Sequence, residues 1–142
     1  MEVINIEKLL NSKINNITQD PYNHEYNAWS FNADNCSYKF RSAKITPSKA
    51  GGFVVMWIKN NDMINTPYHF DNFPNFLIVE ISEMNHHGYF IFPKDILRRK
   101  KILSSNGTLG KMAFRVYPSW SIDLNSTASK SREWQNEYFH HC

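Results

Sequence analysis

From Tyr38 to Asn61 the chain carries five cations and no acid: Lys39, Arg41, Lys44, Lys49 and Lys59. From Met84 to Trp120 it carries seven cations against the single acid Asp95. Clustered Lys and Arg release counterions when they contact a phosphate backbone, the effect that dominates affinity for such polyanions. Aromatic residues lie among these cations, and an exposed ring stacks on an unpaired base for about 1 to 3 kcal/mol. On these grounds Arg41, Lys44, Lys49, Lys59, Lys111, Arg115, Tyr117 and Trp120 form the expected binding set, with DNA or RNA as partner. Arg115 and Tyr117 share strand parity, so they present a cation and a ring on one side. Trp57 reads rather as a core aromatic, and the run Arg98 to Lys101 as a solvated helix end. The segments between and around the basic stretches are acidic. A single cationic footprint therefore requires the fold to bring the two basic stretches to one face, and the alternative is a dispersed, solvated surface.

Other chemistries have less to build on. His86-His87 and His140-His141-Cys142 are adjacent residues, which chelate one ion poorly compared with i, i+4 spacings, so no metal site is expected. The five glycines are scattered and form neither GxGxxG nor GxxxxGK, which argues against a nucleotide cofactor. Cys36 and Cys142 lie far apart without a CxxC motif and read as free thiols in a reducing compartment. The longest apolar runs, Phe53 to Ile58 and Tyr89 to Pro93, fall well short of the about 20 residues that span a bilayer. Met1-Glu2 leads into an amphipathic stretch with no basic n-region, so a cytoplasmic protein without membrane segments is expected.

The elements that must position these residues follow from periodicity. Val3, Ile6, Leu10, Ile14 and Ile17 recur at helical spacing and predict a first helix that frays before Ile17. Thr18 to Asn27 reads as a loop around Pro21. Trp29 and Phe31, then Tyr38 and Phe40, alternate with polar residues on either side of Asp34-Asn35, which predicts a hairpin. The unbroken apolar run Phe53 to Ile58 predicts a central strand covered on both faces. Strands are expected at Phe76 to Ile81, Tyr89 to Phe92 and Met112 to Tyr117. A helix follows Pro93, with Asp95 in its first turn and basic residues at its end. A last helix is capped by Asn125 or Ser126, and Trp134 and Tyr138, four apart, pack one of its faces onto the sheet. At 142 residues, 42% of them hydrophobic, the chain fits one domain, 1–142, with a continuous core. The fold class is α/β (α+β), a mixed sheet flanked by helices.

Five separated motifs resemble the MepB-like family. They are Phe40-Arg41-Ser42-Ala43-Lys44-Ile45-Thr46-Pro47, Gly52-Phe53-Val54 to Trp57, Phe90-Ile91-Phe92-Pro93-Lys94, Phe114-Arg115-Val116-Tyr117-Pro118-Ser119-Trp120, and Trp134-Gln135 with Tyr138-Phe139. The resemblance implies a restriction-endonuclease-like fold, a superfamily of nucleases and of inactive nucleic-acid binders. A nuclease of that kind needs carboxylates to hold a divalent metal and a lysine near the attacking water, with an acid two residues before the lysine. Here Ser42 stands two residues before Lys44, and a serine hydroxyl is a poor metal ligand. Glu80 lacks the following lysine, while Glu25 and Asp71 lie outside the motif. Lys44, Glu25, Asp71 and Glu80 are thus the catalytic candidates of a Mg²⁺- or Mn²⁺-dependent nuclease, the alternative to a non-catalytic or degenerate nucleic-acid binder that needs no cofactor. A third alternative is a protein-interaction module with an exposed apolar patch. Strand parity puts Lys44 beside Tyr38 and Phe40, unless the phase slips and it points to water.

Overall fold

In the computed structural model, which describes residues 1–142, α1 (Val3–Leu10) stops before Ile14. Asn11 turns left-handed, φ 51°, and its backbone N–H reaches back to the carbonyls of Glu7 and Lys8. This closes the helix with a residue that tolerates such a φ. The chain then reverses into β1 (Ile14–Gln19), whose first N–H donates to Glu7 Oε2 at 2.9 Å. The helical spacing of Ile14 and Ile17 is therefore accidental. Ile6 and Ile14 do share a core, but they reach it from two elements.

β2 (Trp29–Ala33) and β3 (Cys36–Ser42) form the expected hairpin, with Asp34 at φ 48° and Asn35 at φ 64°. Two successive positive φ values match the twist of a tight hairpin, and Asp and Asn tolerate them. Past β3 the chain makes four short strands, β4 (Lys44–Ile45), β5 (Gly52–Val55), β6 (Trp57–Lys59) and β7 (Asn65–Pro67). It then lays down β8 (Phe76–Glu83), β9 (His86–Pro93), α2 (Lys94–Arg99), β10 (Ala113–Val116), α3 (Ser126–Gln135) and β11 (Phe139–His141). Asn125 caps α3 by accepting from the Ala128 N–H at 2.8 Å.

The main sheet has six strands in the order β1-β2-β3-β8-β9-β11, and it is mixed because β3 and β8 run parallel while the other pairs are antiparallel. One face buries Phe31, Tyr38, Phe40, Ile78 and Tyr89 under Ile6 of α1. The other buries Leu77, Val79, Ile81, Phe90 and Phe92 under Val54 of β5, Val116 of β10 and Ile96 and Leu97 of α2. Each such side chain contributes about 1.5 to 3 kcal/mol through removal from water, so both faces are firmly held. The fold is α/β, with helices and a second sheet packed on a mixed sheet. No helix is long and apolar enough to cross a membrane.

The run Phe53 to Ile58 departs from expectation. It is split at Met56, whose N–H bonds the Met112 carbonyl at 2.7 Å one rung past the last β5–β10 pair, before β6 begins. Its first half, β5, is the middle strand of a three-stranded sheet β10-β5-β4, with Gly52 and Val54 buried but Phe53 and Val55 half-buried. The strand is central yet covered on one face only. Gly52 permits the close approach of the two sheets, since a Cβ there would lie 2.8 Å from Ala43 Cβ and 3.0 Å from Ile81 Cδ1.

Candidate functional site

Register places Lys44, Phe53 and Arg115 in one row across β4, β5 and β10. Directly opposed residues share a sheet face, so the two basic stretches of the sequence meet on the outer side of the small sheet. The loop from Pro21 to Ala28 folds over this side. Its base is closed by the Asp20 N–H donating to the Ala28 carbonyl at 2.8 Å, and Asn23 and Asn27, both left-handed, bracket a 3-10 turn between them. The loop carries Tyr22 onto Trp57 in a stacked pair, ring centres 5.5 Å apart, and Tyr26 edge-on to Phe53 at 6.5 Å. Lys44 Nζ lies 4.5 Å above the Tyr26 ring and Lys59 Nζ 5.5 Å above Trp57. Between loop and sheet opens a groove of about 540 Å³, walled by Tyr22, His24, Tyr26, Val55 and Trp57. Glu25 lines it too, its carboxylate 3.5 Å from Lys44 Nζ, while the two lysines stand behind the aromatic walls.

Beneath the loop sits a buried ion cluster. Asp20 Oδ2 accepts from Arg41 Nη1 at 2.8 Å and from Lys39 Nζ at 3.1 Å, while Asp20 Oδ1 accepts from the Ser30 hydroxyl. Arg41 Nη2 donates to Asn23 Oδ1 at 3.2 Å and to the Tyr68 hydroxyl at 3.3 Å. Burial pushes the Asp20 carboxyl up, but the Ser30 hydroxyl, Lys39 and Arg41 together outweigh it and hold the group below its ordinary range. Burial pulls the Lys39 ammonium down, against the raising effect of Asp20. Asn23 Oδ1 also accepts from the Trp57 N–H at 3.4 Å, so the cluster anchors both walls of the groove.

Arg41 is the main correction to the expected binding set. Its side chain is 0% exposed and cannot touch a surface ligand. Arg115 joins the row across the small sheet, but its guanidinium donates to the Ala50 and Gly51 carbonyls and to Thr46 Oγ1, holding the 46–51 loop shut. Lys44 and Lys59 lie against two of the groove's aromatic walls, Tyr26 and Trp57. Lys111 is exposed next to Met112, whose carbonyl bonds Met56. Lys49 and Tyr117 line a different cavity, shared with Asp123 and Leu124 at the start of α3. Trp120 lies elsewhere, stacked on His86 with its Nε1 donating to Glu83 at 3.0 Å. Trp57, read from sequence as core, is only half-buried and is a groove wall.

Of the four catalytic candidates Lys44 and Glu25 pair at 3.5 Å, while Glu80 and Asp71 have other partners. β3 ends at Ser42 and Lys44 belongs to the other sheet, so strand parity does not carry across Ala43; the Lys44 side chain is 45% exposed. Glu80 lies on the α1 side of the main sheet, where it accepts from Ser42 Oγ at 3.2 Å and pairs with His87 Nε2 at 2.9 Å. Asp71 stands 3.7 Å from His69 in a 3-10 turn and is 73% exposed. No three His, Cys, Asp or Glu residues are grouped so that they could hold a metal ion. Asp20, Lys39 and Tyr22 were absent from the expected set. The available signal was Tyr22 and Tyr26 spaced four apart in a loop beside Pro21, an unusual aromatic density for a surface turn.

These features define a small α/β protein with an aromatic groove, flanked by two lysines, over a buried ion cluster. The MepB-like family model matches residues 20–141, and the chain belongs to that family. A crystal structure of MepB is similar to it, at 37% sequence identity and a TM-score of 0.90, covering 97% of this chain and 94% of that one. No match was found among curated proteins.

Proposed function

We propose that the outer face of the small sheet binds DNA or RNA without cutting it, in the cytoplasm and with no cofactor. The observation that carries the reading is a groove walled by Tyr22, Tyr26 and Trp57, with Lys44 set on the Tyr26 ring and Lys59 on the Trp57 ring. Half-buried rings offer stacking faces that suit unpaired bases of any identity, and the lysines beside them supply counterion release along the backbone. A phosphate approaching Lys44 displaces Glu25, an exposed pair of the kind that contributes little by itself. The restriction-endonuclease-like resemblance adds an argument by analogy. The nuclease alternative lacks a comparable support, because Glu25, Asp71 and Glu80 lie in three separate settings. As for an interaction module, the exposed large apolar residues are spread along the chain, from Val3 and Ile4 on α1 and Ile17 on β1 to Met63, Met84, Leu109 and Ile122 in loops.

The test is fluorescence anisotropy of labelled single-stranded and duplex oligonucleotides across a salt series. The reading expects tighter binding of single strands and an affinity that falls with salt. Salt-insensitive binding, or none at low ionic strength, overturns it.

A further inference from the structure

Val55, a wall of the groove, pairs with Ala113 of β10, and the next rung is the bond from the Met56 N–H to the Met112 carbonyl. Lys111, just before Met112, bonds elsewhere. Its N–H donates to the Ile102 carbonyl at 2.9 Å, and the Gly110 N–H donates to Ser104 Oγ at 2.8 Å. Only glycine fits at 110, since a Cβ there would fall 2.4 Å from the Ile102 carbonyl oxygen and 2.6 Å from the Ser104 nitrogen. Residues 110–112 therefore bridge the strand beside the groove to the turn that follows α2. Lys101, left-handed at φ 61°, stands on that turn immediately before Ile102.

The cations along this path are not equally committed. Asp95, the one acid between Met84 and Trp120, takes both Arg98 and Arg99. Lys100 Nζ lies 5.7 Å from the Trp134 ring. Lys101 and Lys111 are exposed and meet neither a carboxylate nor a ring. Along the chain, Lys111 stands between Leu109, 76% exposed, and Met112, 45% exposed. A single exposed apolar side chain is ordinary, but two that flank an unpaired cation beside an aromatic groove make a surface where charge and apolar contact alternate.

We propose that a strand lying in the groove continues over this bridge, with one phosphate on Lys111, a later one on Lys101, and unstacked bases against Met112 and Leu109. The inference rests on the groove being a nucleic-acid site, and it names the ligand as a single strand of several nucleotides rather than an isolated base. An extended chain covers at most about 7 Å from Ala113 to Lys111, so the first of these phosphate contacts stands close to the groove wall. An ammonium free of carboxylates meets a phosphate without losing a partner, where Arg98 and Arg99 must first give up Asp95. The turn after α2, which reads from sequence as a solvated helix end, becomes the far end of the interface.

Fluorescence anisotropy of labelled tetrathymidylate and dodecathymidylate across a salt series tests the extension. Three proteins are compared: the native chain, Lys101→Gln/Lys111→Gln, and Lys8→Gln/Lys130→Gln, which removes the same charge from exposed lysines of α1 and α3. Expected in the native chain is a salt slope steeper for the dodecamer than for the tetramer by about 1.4, the share of two phosphate contacts on a single strand. Lys101→Gln/Lys111→Gln brings the dodecamer's slope down to that of the tetramer, and Lys8→Gln/Lys130→Gln keeps the native difference. Tetramer binding by the native chain together with an unchanged dodecamer slope in Lys101→Gln/Lys111→Gln, or an equal loss in Lys8→Gln/Lys130→Gln, overturns the extension and leaves the groove reading standing. No binding of either strand overturns both. Poly-L-glutamate that displaces the labelled dodecamer as well as unlabelled dodecamer does assigns the two lysines to an acidic protein and also overturns the extension.

Discussion

Arg41 Nη1 lies 2.8 Å from Asp20 Oδ2, with 0% of the one side chain and 4% of the other open to solvent. Arg41 projects from β3, in the interior of the main sheet, while Asp20 directly follows the edge strand β1 and leads into the loop that carries Tyr22 and Tyr26. One ion pair therefore ties the groove's outer wall to the middle of the sheet.

Removing one partner of this pair leaves a buried charge unmatched. Asp20→Ala is expected to cost about 3 to 5 kcal/mol, read as a lower urea midpoint with an unchanged slope. Near-native stability would mean that water solvates the cations in place of the carboxylate.

The same pair sets a pH dependence. The folded Asp20 carboxyl lies below its ordinary value of 3.8, so the unfolded chain binds the proton more readily. The stabilisation is complete above about 3.8 and is lost as pH falls toward the lowered folded value. Urea midpoints measured through the acid range should show this limb in the native chain and lack it in Asp20→Asn.

Arg115 holds the 46–51 loop through three acceptors, two of them carbonyls at Ala50 and Gly51, and Gly51 itself sits at φ 75°. Arg115→Leu is expected to lose about 1 to 3 kcal/mol and to speed amide exchange in that loop above all. Uniform acceleration across the molecule would contradict a local clamp. Gly51→Ala strains the same loop by another route, because its Cβ would fall 2.4 Å from the Val116 carbonyl oxygen.

Stacking and charge separate in the groove. Trp57→Ala should weaken oligonucleotide binding by about 1 to 3 kcal/mol at every salt concentration. Lys44→Ala should instead reduce the steepness of the salt dependence by about 0.7 for a single strand, the share of one phosphate contact. Parallel curves for native and Lys44→Ala would remove Lys44 from the interface.

The hairpin Trp29 to Ser42 and the cap at Asn125 are legible in the sequence because local chemistry decides them: two positive φ values at Asp34-Asn35, and an Asn side chain accepting from Ala128. β1 is not legible. Ile14 and Ile17 keep a helical spacing that Asn11 interrupts with one left-handed residue. The burial of Lys39 and Arg41 is hidden for a different reason. They alternate with Tyr38 and Phe40 as solvent-facing residues do, and their side is covered by distant segments, Asp20 and Asn23 from before β2 and Tyr68 from between β3 and β8. The meeting of Lys44 with Arg115 across Phe53 is likewise a matter of non-local register. The charge blocks raised the question, and strand pairing answered it.

Photo-cross-linking with a single-stranded oligonucleotide containing 5-bromouracil, followed by peptide mapping, tests the central claim most directly. The account predicts adducts on the peptides that carry Tyr22, Tyr26 and Trp57, lost when excess unlabelled strand competes. Adducts confined to the Trp120 and His86 surface, or to none of the groove aromatics, would contradict it.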